Sequence, residues 1–331
     1  MRPTINDVAK QAGVSTATVS RIINGQTGYT AETRKKVVNI IQEMGYVPNA
    51  IARGLVNKRT KTIGVLLPSL SSRLSAALLK GIESSAHQLD YSVIICDTES
   101  DGKRTVEYLG VLSEKQVDGI IITSEWLKDV YEEAIEAMKI PVVLVLTSSS
   151  HLQLPYIKVD DYQASYQATE YLIENGHKKI GMISGAKKDK LAGLPRIEGY
   201  KQALSDNRLS VSESHIAYGD FAYKSGVRCM EELLERSPDI TAVFAASDEM
   251  AVGALSCAYK KGIKVPDDLS IIGYDDTQDA EMAIPPLTTV HQPIYEMGEM
   301  AVKKLLNKKE APESVIMPHY IVERDSVRKM D

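Results

Sequence analysis

From Thr62 onward, short apolar runs alternate with amphipathic stretches of helical length, and this alternation constrains the fold more than any other feature. The runs fall at residues 63–67, 92–96, 119–122, 142–146, 180–183, 242–246 and 269–272. Between them lie stretches such as 75–89, 165–174 and 250–261, with apolar residues spaced for one helix face. Unbroken apolar strands separated by crossover helices are the mark of open parallel sheets covered on both faces. The series is too long for one such sheet, so two α/β lobes are expected. After Gln292-Pro293 the pattern predicts a helix over 297–306 and two short strands, 315–317 and 321–323.

The first 61 residues have a different texture. Thr4, Ser15 and Thr30 stand where N-caps belong, and Gly13, Gly25 and Gly45 where helices stop. Three helices follow, starting at Ile5, after Ser15, and from Ala31 to about Met44. Their inward residues are Val8, Ala9 and Ala12, then Val19, Ile22 and Ile23, then Val37, Val38, Ile40, Ile41 and Met44. Ala9 at the crossing, Gly13 in the turn and Val19 on the second helix are spaced as a helix-turn-helix requires. This head carries ten Lys or Arg against three Asp or Glu, a net +7, which leaves −12 on the other 270 residues. A basic head on an acidic body points to a polyanionic partner.

Several function classes recede. No run of apolar residues is long enough to span a membrane, and the N-terminus lacks the apolar core of a signal peptide. Cys96, Cys229 and Cys257 are too few and too far apart for a disulfide framework or a C-x-x-C pair, which predicts a cytoplasmic, reduced protein. The six histidines show no zinc spacing, and Asp97–Gly102 starts like a calcium loop but has Tyr108 where the bidentate acid belongs, so no metal is expected. No G-x-S-x-G, P-loop or G-x-G-x-x-G occurs, so neither an enzyme nor a cofactor is expected.

Two N-terminal motifs carry a resemblance. Thr4-Ile-Asn-Asp-Val-Ala-Lys-Gln-Ala-Gly-Val-Ser-Thr-Ala-Thr-Val-Ser-Arg-Ile-Ile-Asn24 and Pro48-Asn-Ala-Ile-Ala-Arg-Gly-Leu55 resemble the head and hinge of the LacI/GalR family of bacterial transcription regulators. The likeness continues through Gln116-Val-Asp-Gly-Ile-Ile, Gly176-His-Lys-Lys-Ile, Arg196-Ile-Glu-Gly-Tyr, Val265-Pro-Asp-Asp-Leu-Ser-Ile-Ile-Gly-Tyr-Asp-Asp and Leu287-Thr-Thr-Val. The resemblance implies a helix-turn-helix domain (1–47), a hinge helix and linker (48–61), and a two-lobed core like the periplasmic binding proteins (62–331). Lobe 1 would take approximately 62–161 and 291–321, and lobe 2 approximately 162–290 and 322–331. It also implies a homodimer, most simply a repressor, on a pseudo-palindromic double-stranded operator, controlled by a sugar, sugar phosphate or similar effector.

Carried over position by position, Thr16, Ala17 and Arg21 match base-reading positions. Arg21 can give two parallel hydrogen bonds to guanine. Thr4, Ser15, Thr18, Ser20 and Asn24 are assigned to the DNA backbone. Asn49, Ala52, Arg53 and Leu55 are assigned to a minor-groove hinge, with Leu55 as the apolar wedge. The hinge has helical spacing over only about two turns, too short to be stable alone. Arg196, Phe221 and Asp275 match effector-pocket positions, with Asp160 and Ser124 beside them.

One departure concerns Ser71-Ser-Arg-Leu-Ser75, where many relatives carry aromatic residues. Arg73 is therefore included in the pocket; the departure counts against a neutral-sugar pocket and leaves room for an anionic ligand or for none. Gly64-Val-Leu-Leu-Pro and Glu114-Lys-Gln-Val-Asp-Gly resemble the catabolite control branch of the family, which implies a second possibility, control by a phosphorylated carrier protein. A sugar-binding transport protein is the rival of another class; the basic head and the missing signal peptide oppose it.

Overall fold

The computed structural model describes residues 3–46, 59–99, 102, 104–124, 126–149, 151–307 and 313–330. The hinge positions Asn49, Ala52, Arg53 and Leu55 lie outside the described residues. The chain divides into two compact units, Met1–Lys61 and Thr62–Asp331.

The first unit contains α1 (Ile5–Ala12), α2 (Thr16–Ile23) and α3 (Ala31–Met44). Each begins at a hydroxyl cap: Thr4 accepts from the Asp7 amide, Ser15 from Thr18 and Thr30 from Thr33. Gly13 (φ +66°) and Gly45 (φ +61°) close α1 and α3 in the left-handed region. Val8, Ala9, Ala12, Val19, Ile22, Val37 and Ile40 are buried together as its core, and Ile23, Val38, Ile41 and Met44 pack on them half-buried.

In the second unit the first lobe holds β1 (Thr62–Leu67), α4 (Arg73–Gln88), β2 (Ser92–Asp97), α5 (Thr105–Glu114), β3 (Ile120–Thr123), α6 (Asp129–Met138), β4 (Val142–Val145) and β5 (Tyr156–Lys158). The second holds α7 (Asp161–Glu174), β6 (Ile180–Ser184), α8 (Gly193–Asp206), β7 (Ile216–Tyr218), α9 (Tyr223–Arg236), β8 (Ala242–Ala245), α10 (Asp248–Lys260), β9 (Ser270–Asp275), α11 (Gln278–Met282) and β10 (Thr288–His291). The chain then returns through α12 (Ile294–Leu306) and β11 (Val315–Ile316) and ends with β12 (Tyr320–Val322). The sheet orders are β11-β5-β4-β3-β1-β2 and β12-β10-β9-β8-β6-β7. All pairings are parallel except β10 with β12.

Both faces of the sheets are covered, which is why the strands read as continuous apolar runs. In the first sheet Ile63, Val65, Leu67, Ile121, Val143 and Val145 face one core with Leu78, Ile82, Met297 and Val302. Their strand neighbours Leu66, Ile120, Ile122 and Leu144 face the other, with Leu109, Leu112 and Ile135. The period of two thus sorts each strand between two helical layers. α4 and α12 approach closely enough that a methyl group at Gly81 would overlap the Tyr295 carbonyl, and one at Gly298 the Leu78 carbonyl.

The chain passes between lobes three times, after β5, after β10 and between β11 and β12. Sheet membership differs slightly from the limits expected from sequence. His291 ends β10 and Tyr320 begins β12, both in the second sheet, and Asp161 already belongs to α7, which packs on α8. The last strand covers Tyr320–Val322 rather than 321–323, and the helix expected over 297–306 starts one turn earlier, at Ile294.

Candidate functional site

Two surfaces concentrate functional chemistry. On the head, Thr16, Ala17 and Arg21 are exposed, on the side of α2 away from buried Val19 and Ile22. The residues assigned to the DNA backbone already serve the head's own structure. Thr4 donates from its amide and hydroxyl to Asp7 Oδ2 (2.8 and 2.7 Å), which holds the Asp7 carboxyl below its ordinary pKa. Ser15 Oγ accepts from the Thr18 amide (3.1 Å) and lies 3.0 Å from the Thr18 hydroxyl. Asn24 Nδ2 donates to Ser20 Oγ (3.3 Å). These hydroxyls keep spare lone pairs or protons, so capping and a phosphate contact are compatible.

In the second unit a cleft of about 500 Å³ opens where the strands of both sheets end. It is lined by Pro68 and Ser69 after β1, Glu99 after β2, Ser124 and Trp126 after β3, and Leu146 after β4. From the second lobe come Ala186 after β6, Asp220 and Phe221 after β7, Ser247 after β8, Asp275 and Thr277 at β9, and Gln292 after β10. Carboxyl ends of strands are where open α/β sheets bind ligands.

Arg196, in the first turn of α8, is the most constrained side chain there. Its Nε and one terminal nitrogen donate to Asp161 Oδ1 (2.9 and 2.8 Å), and the other donates to the Ala246 carbonyl (2.5 Å). Its guanidinium stacks 3.6 Å from the Tyr274 ring centroid and lies 5.8 Å from that of Phe221. Tyr274 OH donates to the same Asp161 oxygen (3.2 Å), and Lys158 Nζ lies 3.4 Å from the other. Burial works against the Arg196 charge, but Tyr274, Asp161 and Asp275 more than offset it and hold its pKa above the ordinary value. Arg196 is therefore first a strut between the start of α7 and the end of β8, and only its remaining N–H groups are free for a ligand.

Asp275 is buried, adopts φ +122° and accepts a hydrogen bond from Gln292 Nε2 (2.7 Å). That φ is strained for a residue with a Cβ, a feature that clusters at binding sites. Burial pushes its carboxyl well above the ordinary range, against the pull of Arg196. Phe221 also has positive φ (+68°), and its ring lies over Gly185, where any Cβ would collide with it. Ser124 lines the cleft at φ +50°.

Two expected pocket residues do not line it. Asp160 caps α7, its Oδ1 accepting from the Gln163 amide (3.1 Å). Arg73 starts α4 and turns to the second lobe: its amide donates to Glu249 Oε1 (3.2 Å) and its Nε to Asp279 Oδ1 (3.1 Å). The anion-binding role read from Arg73 loses its basis, because that charge is already matched by carboxylates. Asp248, also at a strand end, lies off the cleft. Its carboxylate accepts from Thr277 and Thr289, and burial pushes its pKa up to about 7. Trp126 and Gln292 were not picked out from sequence. A solitary tryptophan three residues past a strand was the available sign for the first, and a glutamine before the proline that ends the βα alternation for the second. Trp126 supplies aromatic character that Ser71–Ser75 lacks, and Lys190 Nζ sits 5.1 Å from its ring centroid.

Comparison with known proteins agrees with this architecture. Residues 60–325 match the periplasmic binding proteins and sugar binding domain of LacI family, and residues 4–49 match the bacterial regulatory proteins, lacI family. The chain is 40% identical to catabolite control protein A of Priestia megaterium, over 99% of this chain and 100% of that protein. It is 39% identical to the HTH-type transcriptional regulator DegA of Bacillus subtilis (strain 168), over the full length of both. Among solved structures, the lac repressor dimer bound to operator and the anti-inducer ONPF superposes with a TM-score of 0.90 at 30% identity, over 99% of this chain and 100% of that one. The chain belongs to the LacI family of bacterial transcription regulators, DNA-binding proteins that respond to small-molecule effectors.

Proposed function

We propose that this chain is a cytoplasmic repressor, without catalytic activity, that binds a pseudo-palindromic operator as a homodimer and is controlled by a small molecule in the cleft. The observation that carries the DNA reading is the exposed trio Thr16, Ala17 and Arg21 on a capped second helix, on a head of net charge +7. Such a helix presents Arg21 to guanine O6 and N7 in the major groove, Thr16 to either polarity and Ala17 to a thymine methyl. The cleft supports effector control, since nine strand ends converge on one concave, partly apolar site. The homodimer draws on the likeness to the lac repressor, solved as a dimer on its operator. Among the described residues no helix is long and apolar enough to cross a membrane.

Gel mobility shift on genomic fragments, with and without candidate ligands, tests this reading. A discrete protected palindrome whose occupancy changes with one ligand supports it; salt-sensitive binding of equal strength to all fragments refutes it. A second reading, control by a phosphorylated carrier protein, draws on the 40% identity to catabolite control protein A. Adding such a phosphoprotein to the same assay distinguishes the two.

A further inference from the structure

Next to the cleft-lining pair Gln292 and Asp275 stands a second pair. His291 precedes Gln292 and Asp276 follows Asp275, and neither is among the described residues that line the cleft. Gln292 Nε2 donates to Asp275 Oδ1 (2.7 Å), and His291 Nδ1 lies 2.8 Å from Asp276 Oδ2. Both pairs join the same two strand ends, since His291 stands opposite Asp275 in the β10–β9 register. Asp275 and Asp276 adopt positive φ in succession (+122° and +57°). Such backbone persists in residues with a Cβ only where the surroundings fix it, and here each carboxyl is fixed by one of the two pairs.

The outer pair is also tied to the passages between the lobes. His291 opens the passage from β10 to α12. Its ring stacks on that of Tyr320, with centroids 4.6 Å apart and planes at 24°, and Tyr320 begins β12 directly after the passage from β11. Arg324 donates to Asp276 Oδ1 (2.7 Å) and to the Leu287 carbonyl (2.9 Å). Burial works to raise the Asp276 pKa, but the hydrogen bonds from His291 and Arg324 outweigh it and hold the carboxyl below its ordinary range. Asp276 therefore stays an ionised acceptor, and Nδ1 of His291 carries the hydrogen between them. Imidazole is the side chain whose charge changes between pH 5 and 8. A charged ring gives Asp276 a charge-assisted bond and is attracted to the Tyr320 face, whereas a neutral ring keeps one ordinary hydrogen bond.

We propose that His291 is a proton-dependent positioning residue: its charged form clamps Asp276 and Tyr320, which fixes the neighbouring Gln292 and Asp275 and stiffens two of the three passages between the lobes. Acidification then holds the lobes more firmly in one arrangement, and the response to a ligand weakens as pH falls. That consequence for ligands rests on the reading of the cleft as the effector site; the clamp itself does not.

Other charges surround the clamp. Asp248 is close enough to Asp276 to feel its charge, and burial pushes its pKa up to about 7. α7 packs on β10, and the acids at its start are already engaged, Asp160 by the Gln163 amide and Asp161 by Arg196 and Lys158. His319, beside Tyr320, is pushed below its ordinary pKa by burial, against the pull of Asp160 and Asp161. A variant that changes only His291 retains all of these groups, so its difference from the parent isolates the clamp.

The test is hydrogen exchange of the unliganded full chain by mass spectrometry at pH 7.5 and 5.5, corrected for the intrinsic pH dependence of exchange. In the parent, protection over residues 288–294 and 320–324 should rise roughly three- to tenfold on acidification. His291→Gln can still donate to Asp276 but carries no charge, so it should lack that rise. His291→Arg is charged at both pH values and should show the high protection throughout. A merely structural role would change protection by the same factor at both pH values. The proposal is overturned if the parent and His291→Gln respond alike to pH, or if His291→Arg loses protection at pH 7.5 as the parent does. Should His291→Gln fold poorly, the arginine variant alone decides on the same criterion. Because no ligand is present, failure of the effector reading would leave the exchange result standing, and failure of the clamp would leave the effector reading untouched.

Discussion

Arg196→Ala should act first on stability and only second on ligand binding. The guanidinium is the chief counter-charge of Asp161, whose side chain is 9% exposed, and it spans from Asp161 to the Ala246 carbonyl over the Tyr274 ring. Truncation leaves a buried carboxylate short of its partner, which typically costs about 3–5 kcal/mol. Lys158 remains 3.4 Å from Asp161 Oδ2 and the Tyr274 hydroxyl still donates to Oδ1, so the lower end, about 3 kcal/mol, is expected. For a unit of this size each kcal/mol shifts the melting point by roughly 2–4 °C, so a fall of about 6–12 °C should appear by calorimetry. A cycle with Asp161→Asn isolates the pair: the double variant should lose clearly less than the two single losses added together, because removing both charges leaves neither stranded. If Arg196→Ala melts within about 2 °C of the parent while ligand binding is abolished, Arg196 is a ligand-binding group rather than a strut, and the reasoning fails.

Further expectations concern the head, the hinge and pH. Arg21→Ala should cost about 1–3 kcal/mol per half-site on the cognate operator and much less on unrelated DNA; equal loss on both in fluorescence titration would mean that Arg21 touches only phosphate. Leu55→Ala should weaken operator binding and reduce DNA bending with no change in oligomeric state or effector affinity, and circular-permutation mobility assays check the bend. His177 is buried, its Nε2 donating to the Arg328 carbonyl (3.2 Å) and its Nδ1 lying 3.0 Å from Thr241 Oγ1. Burial lowers its pKa below 6.5, so its contribution to stability is present above that value and is lost as pH falls through 6.5 toward the folded pKa. Asp248 and Asp275, with raised pKa values, act with the opposite sign, losing their contribution as pH rises. The decisive measurement is therefore the difference in melting-point slope between pH 7.5 and 5.5 for the parent and His177→Gln, whose melting point should fall less on acidification; parallel slopes would contradict it.

Local signals along the chain determined the elements and much of the architecture. Hydroxyl caps at Thr4, Ser15 and Thr30 and the glycines Gly13 and Gly45 delimit the head helices within the chain itself, since a cap needs only neighbours three residues away. Strands buried on both faces announce themselves as apolar runs for the same reason: each residue's burial depends on its own strand and two flanking layers. The side chains around the cleft were only partly legible. Arg196, Phe221, Asp275 and Ser124 were reached through resemblance and do line it, but Asp160 serves as a helix cap and Arg73 is drawn to Glu249 and Asp279, some 176 and 206 residues away in sequence. The cleft is assembled from nine strand ends, and whether a given Asp or Arg there faces a ligand, a neighbouring amide or an opposite charge depends on groups far along the chain. Charge pairing and hydrogen bonding act through a few ångströms of space rather than along the sequence, so the partner that claims each polar side chain was decided only when the two sheets came together.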